Sequence, residues 1–139
     1  MQVPFVRFDA SMPAVYRAFP TDAGADLFVV EETPLAPRET KRVALNLAVA
    51  ISDGYYGMIS GRSSVAARGI LVHVGTVDQG YRGQLFLAAT NLTGEPLVIQ
   101  RGERIGQLII IPFVAPEFVE VGTLEETERA GRGWGSTGR

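Results

Sequence analysis

The chain contains no cysteine and only one histidine, His73, among its 139 residues. The first absence excludes a disulfide framework, a thiolate metal site and a thiol nucleophile, and it fits a reducing cytosol. The second excludes any centre built from several histidines. An excess of positive charge is missing as well: 13 Lys and Arg against 15 Asp and Glu leave a formal net charge of −2, with no basic field for gripping nucleic acid. The longest nearly apolar run, residues 108–115, falls far short of the roughly 20 residues a membrane helix needs. Residues 1–8 lack the charged start, apolar stretch and small-residue cleavage site of an export signal. The expectation is a soluble, cytoplasmic, single domain spanning residues 1–139, with neither nucleic acid nor membrane as a partner.

What is present is β-forming sequence. Hydrophobic residues make up 46% of the chain, cut into short runs by Gly, Pro and Asp, the pattern of an all-β sandwich or barrel. Strands are expected over residues 3–8, 26–31, 42–51, 55–59, 70–77, 84–91, 97–100, 105–112 and 117–121. In the third, Val43, Leu45, Leu47, Val49 and Ile51 share one face, which predicts one side packed on the core. Residues 108–111 are apolar on both faces, which predicts a strand buried twice, between sheets or against another subunit. One short helix is expected over residues 63–68, with a serine capping its start and Gly69 ending it in left-handed geometry. After Val121 the chain turns acidic and then glycine-rich, so residues 127–139 read as a mobile C-terminal arm. Asn91-Leu92-Thr93 matches a glycosylation sequon but reads as a polar turn.

Five segments combine glycine with groups that can do chemistry. In Asp22-Ala23-Gly24-Ala25-Asp26-Leu27 two carboxylates flank a turn that leads into a strand. Gly61-Arg62-Ser63-Ser64 places a cation and two hydroxyls at the expected helix start, whose first turn points N–H donors outward, a match for a phosphate or a plain cap. The run Gly75-Thr76-Val77-Asp78-Gln79-Gly80-Tyr81-Arg82-Gly83 reads as a hairpin arm. There Asp78 could orient and deprotonate a water, or serve as a turn residue, while the Tyr81 ring could stack on a sugar or base. Strict alternation in Arg104-Ile105-Gly106-Gln107-Leu108 puts Arg104, Gly106 and Leu108 on one face and Ile105 and Gln107 on the other. Gln107, on an otherwise apolar strand, needs a polar partner. The last segment, residues 129–139, carries arginines, hydroxyls and the single tryptophan. It is not a Walker loop, which needs a Lys after the last glycine and a following helix.

Taken in order, these segments resemble the five motifs of the homotrimeric dUTPase family, with the correspondence running from Asp22 to Gly138. The resemblance implies an all-β, jelly-roll-like dUTPase fold with one short helix and a flexible C-terminal arm, three identical subunits, and active sites shared between them. It implies hydrolysis of dUTP to dUMP and pyrophosphate by attack of water on the α-phosphate, with Mg²⁺ carried on the triphosphate. Such a reaction keeps uracil out of DNA and supplies dUMP for dTTP synthesis. Asp78 matches the residue that activates the water, and Tyr81 the ring that packs on deoxyribose. Gly75, Thr76 and Val77 match the backbone edge that pairs with uracil, and Phe86 falls among the substrate-binding positions. Arg62, Ser63, Ser64 and Gln107 match phosphate contacts, and Asp26 an outer-sphere carboxylate that touches the metal's waters, with no direct protein ligand to the metal. Arg129 matches the γ-phosphate contact, Trp134 the ring over uracil, and Gly135, Ser136 and Thr137 the closing phosphate contacts. The chain departs from the family at Ser64, Gly106, Ala130, Arg132 and Trp134. A dCTP deaminase would share the fold but needs a glutamate where this chain has Ala88, and a purely regulatory nucleotide-binding protein would act through a partner domain that the sequence does not show.

Overall fold

The computed structural model describes residues 1–128, 130 and 131. Short β-rich runs pair antiparallel throughout, as their turn punctuation requires. A five-stranded sheet runs in the order β2 (Val15–Tyr16), β3 (Gly24–Phe28), β12 (Arg104–Pro112), β7 (Tyr55–Gly61), β9 (Gly75–Val77). A three-stranded sheet is built from β5 (Thr40–Ala44), β10 (Phe86–Asn91) and β8 (Ile70–Val72). Two ribbons complete the fold, β1 (Phe5–Val6) with β6 (Ala48–Val49) and β4 (Thr33–Leu35) with β11 (Leu97–Ile99). Leu27, Ile59, Ile105 and Leu108 of the large sheet share one apolar core with Val43, Ile70, Leu87 and Ala89 of the small one. This is the expected all-β, two-layered architecture.

Two expected strands are each divided because they change sheets. Residues 70–77 break at His73 and Val74, so that β8 pairs with β10 while β9 crosses over to pair with β7. Residues 42–51 break after Ala44; Leu45 bridges to Val29 and Ala48–Val49 joins β1. The predicted inward face survives the break, since Val43, Leu45, Leu47, Val49 and Ile51 are all buried. Strands β2 and β4, too short to show a period, were not expected. The strand expected over residues 117–121 does not form: among the described residues no neighbouring strand supplies backbone partners, and Phe118 and Val119 stand out in solvent. Only Leu108 of residues 108–111 is buried; Ile109, Ile110 and Ile111 stay half-buried in the single chain, so the double burial is not reached within it.

Helix α1 (Ser63–Ala66) is two residues shorter at its end than expected. Its N-cap is Arg62, not a serine, and no side chain caps it: the Arg62 carbonyl already accepts from Val65 N–H and Ala66 N–H, at 3.0 and 3.1 Å, which places both serines inside the first turn. Gly69, with φ +77°, closes the turn in the left-handed conformation expected of it. Asn91 of the sequon is fully buried, donating to the carbonyls of Leu35, Ala36 and Glu95 while accepting from Thr93, so it is a turn-forming residue and not an exposed acceptor.

A second buried asparagine holds the N-terminal loop. Asn46 Oδ1 accepts Asp9 N–H at 2.7 Å, and its Nδ2 donates to the carbonyls of Asp9, Met12 and Pro13. The same loop is tied at its surface by Asp9, whose carboxyl is lowered to about 2 by the Ser11 hydroxyl and the Arg101 guanidinium. That contribution is present above the ordinary carboxylate range and is lost as pH falls toward 2.

Arg38 is out of keeping with its backbone. Glu39 N–H bonds the Ala36 carbonyl at 3.1 Å across a Pro37-Arg38 turn in which Arg38 has φ 64°. That is the position where a type II turn calls for glycine. Arg38→Gly is therefore expected to raise stability by about 0.5 to 1 kcal/mol without changing activity, read as an upward shift in thermal melting.

Candidate active site

The site grows from one transverse row of the large sheet. Tyr16 pairs with Asp26, Asp26 with Gln107, and Gln107 with Ser60, so residues from β2, β3, β12 and β7 stand side by side on one face. Into this row come two arginines. Arg62 Nε lies 3.0 Å from Asp26 Oδ1, and Arg104 Nη1 lies 3.2 Å from Asp26 Oδ2, so one carboxylate holds two guanidinium groups, each by its own oxygen. Arg62 also donates to the Arg104 carbonyl at 2.8 Å, and the Arg104 guanidinium sits 4.6 Å above the Tyr16 ring. One negative charge against two positive ones leaves this corner with a surplus cation suited to an anionic ligand.

Strict alternation misassigned β12. A bulge between Arg104 and Gly106 sets two residues of β12 against one of β3, which turns Arg104 to the same face as Gln107 and sends Ile105 into the core. Gln107 finds its partner there, donating from Nε2 to the Gly61 carbonyl at 3.3 Å. The space for its amide exists because residue 24 is glycine: a Cβ on Gly24 would lie 2.1 Å from Gln107 Oε1. Arg17, Asp22, Asp26, Arg62 and Gln107 line an open cleft of about 430 Å³. Next along the chain from Arg62, Ser63 and Ser64 are exposed, their N–H groups preceding the first helical bonds of α1.

A hairpin arm carries the other half of the candidate residues. Strand β9 pairs along β7, with Gly75 opposite Ile59 and Val77 opposite Gly57. Thr76 is exposed and Val77 buried, and Asp78 emerges into solvent at the strand's end. Tyr81 N–H closes a turn on the Asp78 carbonyl at 3.0 Å, and the Tyr81 hydroxyl donates to the Gln84 carbonyl at 2.9 Å. The ring lies over Gly83, where a Cβ would come within 2.5 Å of the tyrosine oxygen, so the ring needs glycine beneath it. His73, in the link between β8 and β9, has Nε2 2.7 Å from Thr90 Oγ1. Phe86 lies in the small sheet beside β5, covered by the Arg42 guanidinium 4.3 Å from its centroid.

The two halves are not brought together by one chain. Asp78 leaves β9 level with Tyr56, whereas Arg62 leaves the far end of β7, a separation of six residues, or about 20 Å along the strand. Arg129, Trp134, Gly135, Ser136 and Thr137 lie outside the described residues. Among the described residues no cluster of three or more His, Asp or Glu forms a metal-binding group, and no helix is long and apolar enough to cross a membrane. Sequence reasoning did not single out Tyr16, whose two-residue strand has no pattern, nor the partnership of Arg104 with Asp26, which depends on the bulge.

By fold this is an antiparallel β-sandwich protein, and its paired guanidinium groups and carboxylate-tipped hairpin equip it for an anionic substrate. The dUTPase family model matches residues 10–138. Deoxyuridine 5'-triphosphate nucleotidohydrolases from Cutibacterium acnes and Mycobacterium leprae are 42% and 44% identical to this chain, over 98% and 96% of it and 91% and 92% of their own lengths. The dUTPase of Staphylococcus bacteriophage 80alpha, solved with dUpNHpp, superposes with a TM-score of 0.92 at 28% identity, covering 99% of both chains. The chain belongs to the dUTPase family.

Proposed function

We propose that this protein is a dUTP diphosphatase, which hydrolyses dUTP to dUMP and pyrophosphate. The observation that carries the reading is the match to the dUTPase family across residues 10–138, which spans the Asp26–Arg62–Gln107 cleft and the Asp78–Tyr81 hairpin alike. Asp78 accepts a proton from a water as that water's oxygen bonds to the α-phosphorus, and the bond to the bridging oxygen breaks to release pyrophosphate. Gly75, Thr76 and Val77 offer a backbone edge to uracil, and Tyr81 closes over the sugar where a 2′-hydroxyl would need room. Arg62, Gln107 and the N–H groups of Ser63 and Ser64 hold the phosphates, joined by Arg129, Gly135, Ser136 and Thr137, while Trp134 covers the base and Phe86 supports the substrate from the small sheet.

Magnesium fits as an ion carried by the triphosphate. Each Asp26 oxygen already meets one guanidinium, and a second lone pair remains to accept from a metal-bound water, which suits an outer-sphere role and not direct ligation. When bound, the ion offsets charge on the phosphate oxygens. The separation of Asp78 from Arg62 along β7 supports a homotrimer in which one subunit's hairpin faces another's cleft. Half-buried Ile109, Ile110 and Ile111 supply apolar surface for such contacts. We place the chain, as one domain with residues 127–139 as its closing arm, in the cytoplasm.

Pyrophosphate release from dUTP, measured beside dCTP, dTTP and UTP with Mg²⁺, tests the reading. Turnover of dUTP far above the others is expected; no release from dUTP would overturn it. Sedimentation is expected to report a mass of three chains, and a fully active monomer would refute the shared site. Tyr81→Ala is expected to lower the preference for dUTP over UTP, and an unchanged ratio would count against the ring as the sugar filter.

A further inference from the structure

The turn that presents Asp78 and Tyr81 is held by a residue outside every motif role assigned above. Beyond Val77 the hairpin has left its ladder with β7, and Asp78, Gly80 and Tyr81 are exposed. Gln79 between them is half-buried, and its Oε1 accepts Gly54 N–H at 2.8 Å. Gly54, with φ +79°, belongs to the turn before β7, closed by Tyr55 N–H on the Ser52 carbonyl at 3.2 Å. Its own carbonyl accepts Phe113 N–H at 3.0 Å, where β12 ends. The amide of Gln79 is thus clipped to a junction of two neighbouring strands of the large sheet, β7 and β12. From the other side Arg82 Nη1 donates to the carbonyls of Gln79 and Tyr81, at 2.5 and 2.8 Å. Among the described residues, no other side-chain hydrogen bond joins residues 78–81 to a segment outside the hairpin.

We infer that Gln79 is a positioning residue for the reaction: its bond to Gly54 N–H sets where the Asp78 carboxylate and the Tyr81 ring stand relative to the sheet. The inference rests on the proposed dUTP diphosphatase reading. A general base must meet its water within hydrogen-bond reach, and a misplacement of about 1 Å can cost roughly 100-fold in rate. A turn tied at one side chain loses that register when the acceptor is removed, while the core beneath it is unchanged. The loss belongs in kcat and in sugar discrimination, because the phosphate-holding residues lie at the far end of β7.

Two variants separate the acceptor from the side chain's bulk. Gln79→Met keeps the length and removes the oxygen; Gln79→Glu keeps an oxygen for Gly54 N–H and strengthens that bond by its charge. For Gln79→Met the expected result is a kcat about tenfold lower, a KM for dUTP within about threefold, and a reduced dUTP-to-UTP preference, with mass and melting temperature unchanged. Gln79→Glu is expected to restore the preference, and to restore kcat at alkaline pH. Because it adds a negative charge next in sequence to Asp78, its kcat is compared with that of Gln79→Met across the pH range and not at one pH. Equal kcat and preference in Gln79→Met and the unmodified chain would overturn the inference, as would a Gln79→Glu variant no better than Gln79→Met at any pH. Failure of the unmodified chain to hydrolyse dUTP would instead refute the functional reading on which it stands.

Discussion

Asp78→Asn is expected to bind a non-hydrolysable dUTP analogue with nearly unchanged affinity while turning over dUTP at least about 100-fold more slowly. Asparagine has the shape of aspartate, and Asp78 is exposed at the end of β9 with its backbone, not its side chain, closing the turn to Tyr81. The substitution therefore leaves the hairpin standing and removes the carboxylate proposed above to take the proton from the attacking water. The proposed function puts binding elsewhere, in the Arg62 and Gln107 cleft and the backbone edge of β9, so the loss should fall on kcat. Steady-state pyrophosphate release paired with calorimetric titration of the analogue measures both. Turnover within a few-fold of the unmodified protein would remove Asp78 from the role of base.

The second large effect concerns stability. Asn46→Leu preserves most of the side-chain volume but removes both the acceptor for Asp9 N–H and the donor to the carbonyls of Asp9, Met12 and Pro13. Asn46 is fully buried, so water cannot readily replace those bonds, and each stranded group costs on the order of 1 to 3 kcal/mol. A loss of about 3 kcal/mol is expected, lowering the melting temperature by roughly 10 °C, with the N-terminal loop the first segment to exchange its amides. A change below about 1 kcal/mol would show that the loop satisfies itself by other means. The two predictions set a buried asparagine, expected to carry stability, against an exposed aspartate proposed to carry the chemistry.

Particular residues show how far the pattern of the chain could be read. Alternation correctly assigned Val43, Leu45, Leu47, Val49 and Ile51 to the core, because burial follows side-chain polarity even where the strand breaks. It could not locate the break, since pairing after Ala44 passes to Val29 and then to β1, a matter of which segments lie nearby in space. Residues 117–121 have the composition of a strand, yet a strand requires a neighbour to take its hydrogen bonds. The described residues of the chain give them none.

The amino-acid sequence by itself determined the all-β class, the one short helix with Gly69 at its end, and the family; it also nominated Asp26, Arg62, Gln107, Asp78 and Tyr81 as the proposed site, because acid–base and anion chemistry depend on the groups present. Only the tertiary structure decided how those groups are disposed. A single extra residue in β12 turned Arg104 onto the face of Gln107 and gave Asp26 its second guanidinium, an outcome that a two-residue period cannot express. Pairing along β7 set Asp78 at one end and Arg62 at the other, because strand register fixes distance in a way that chain order does not.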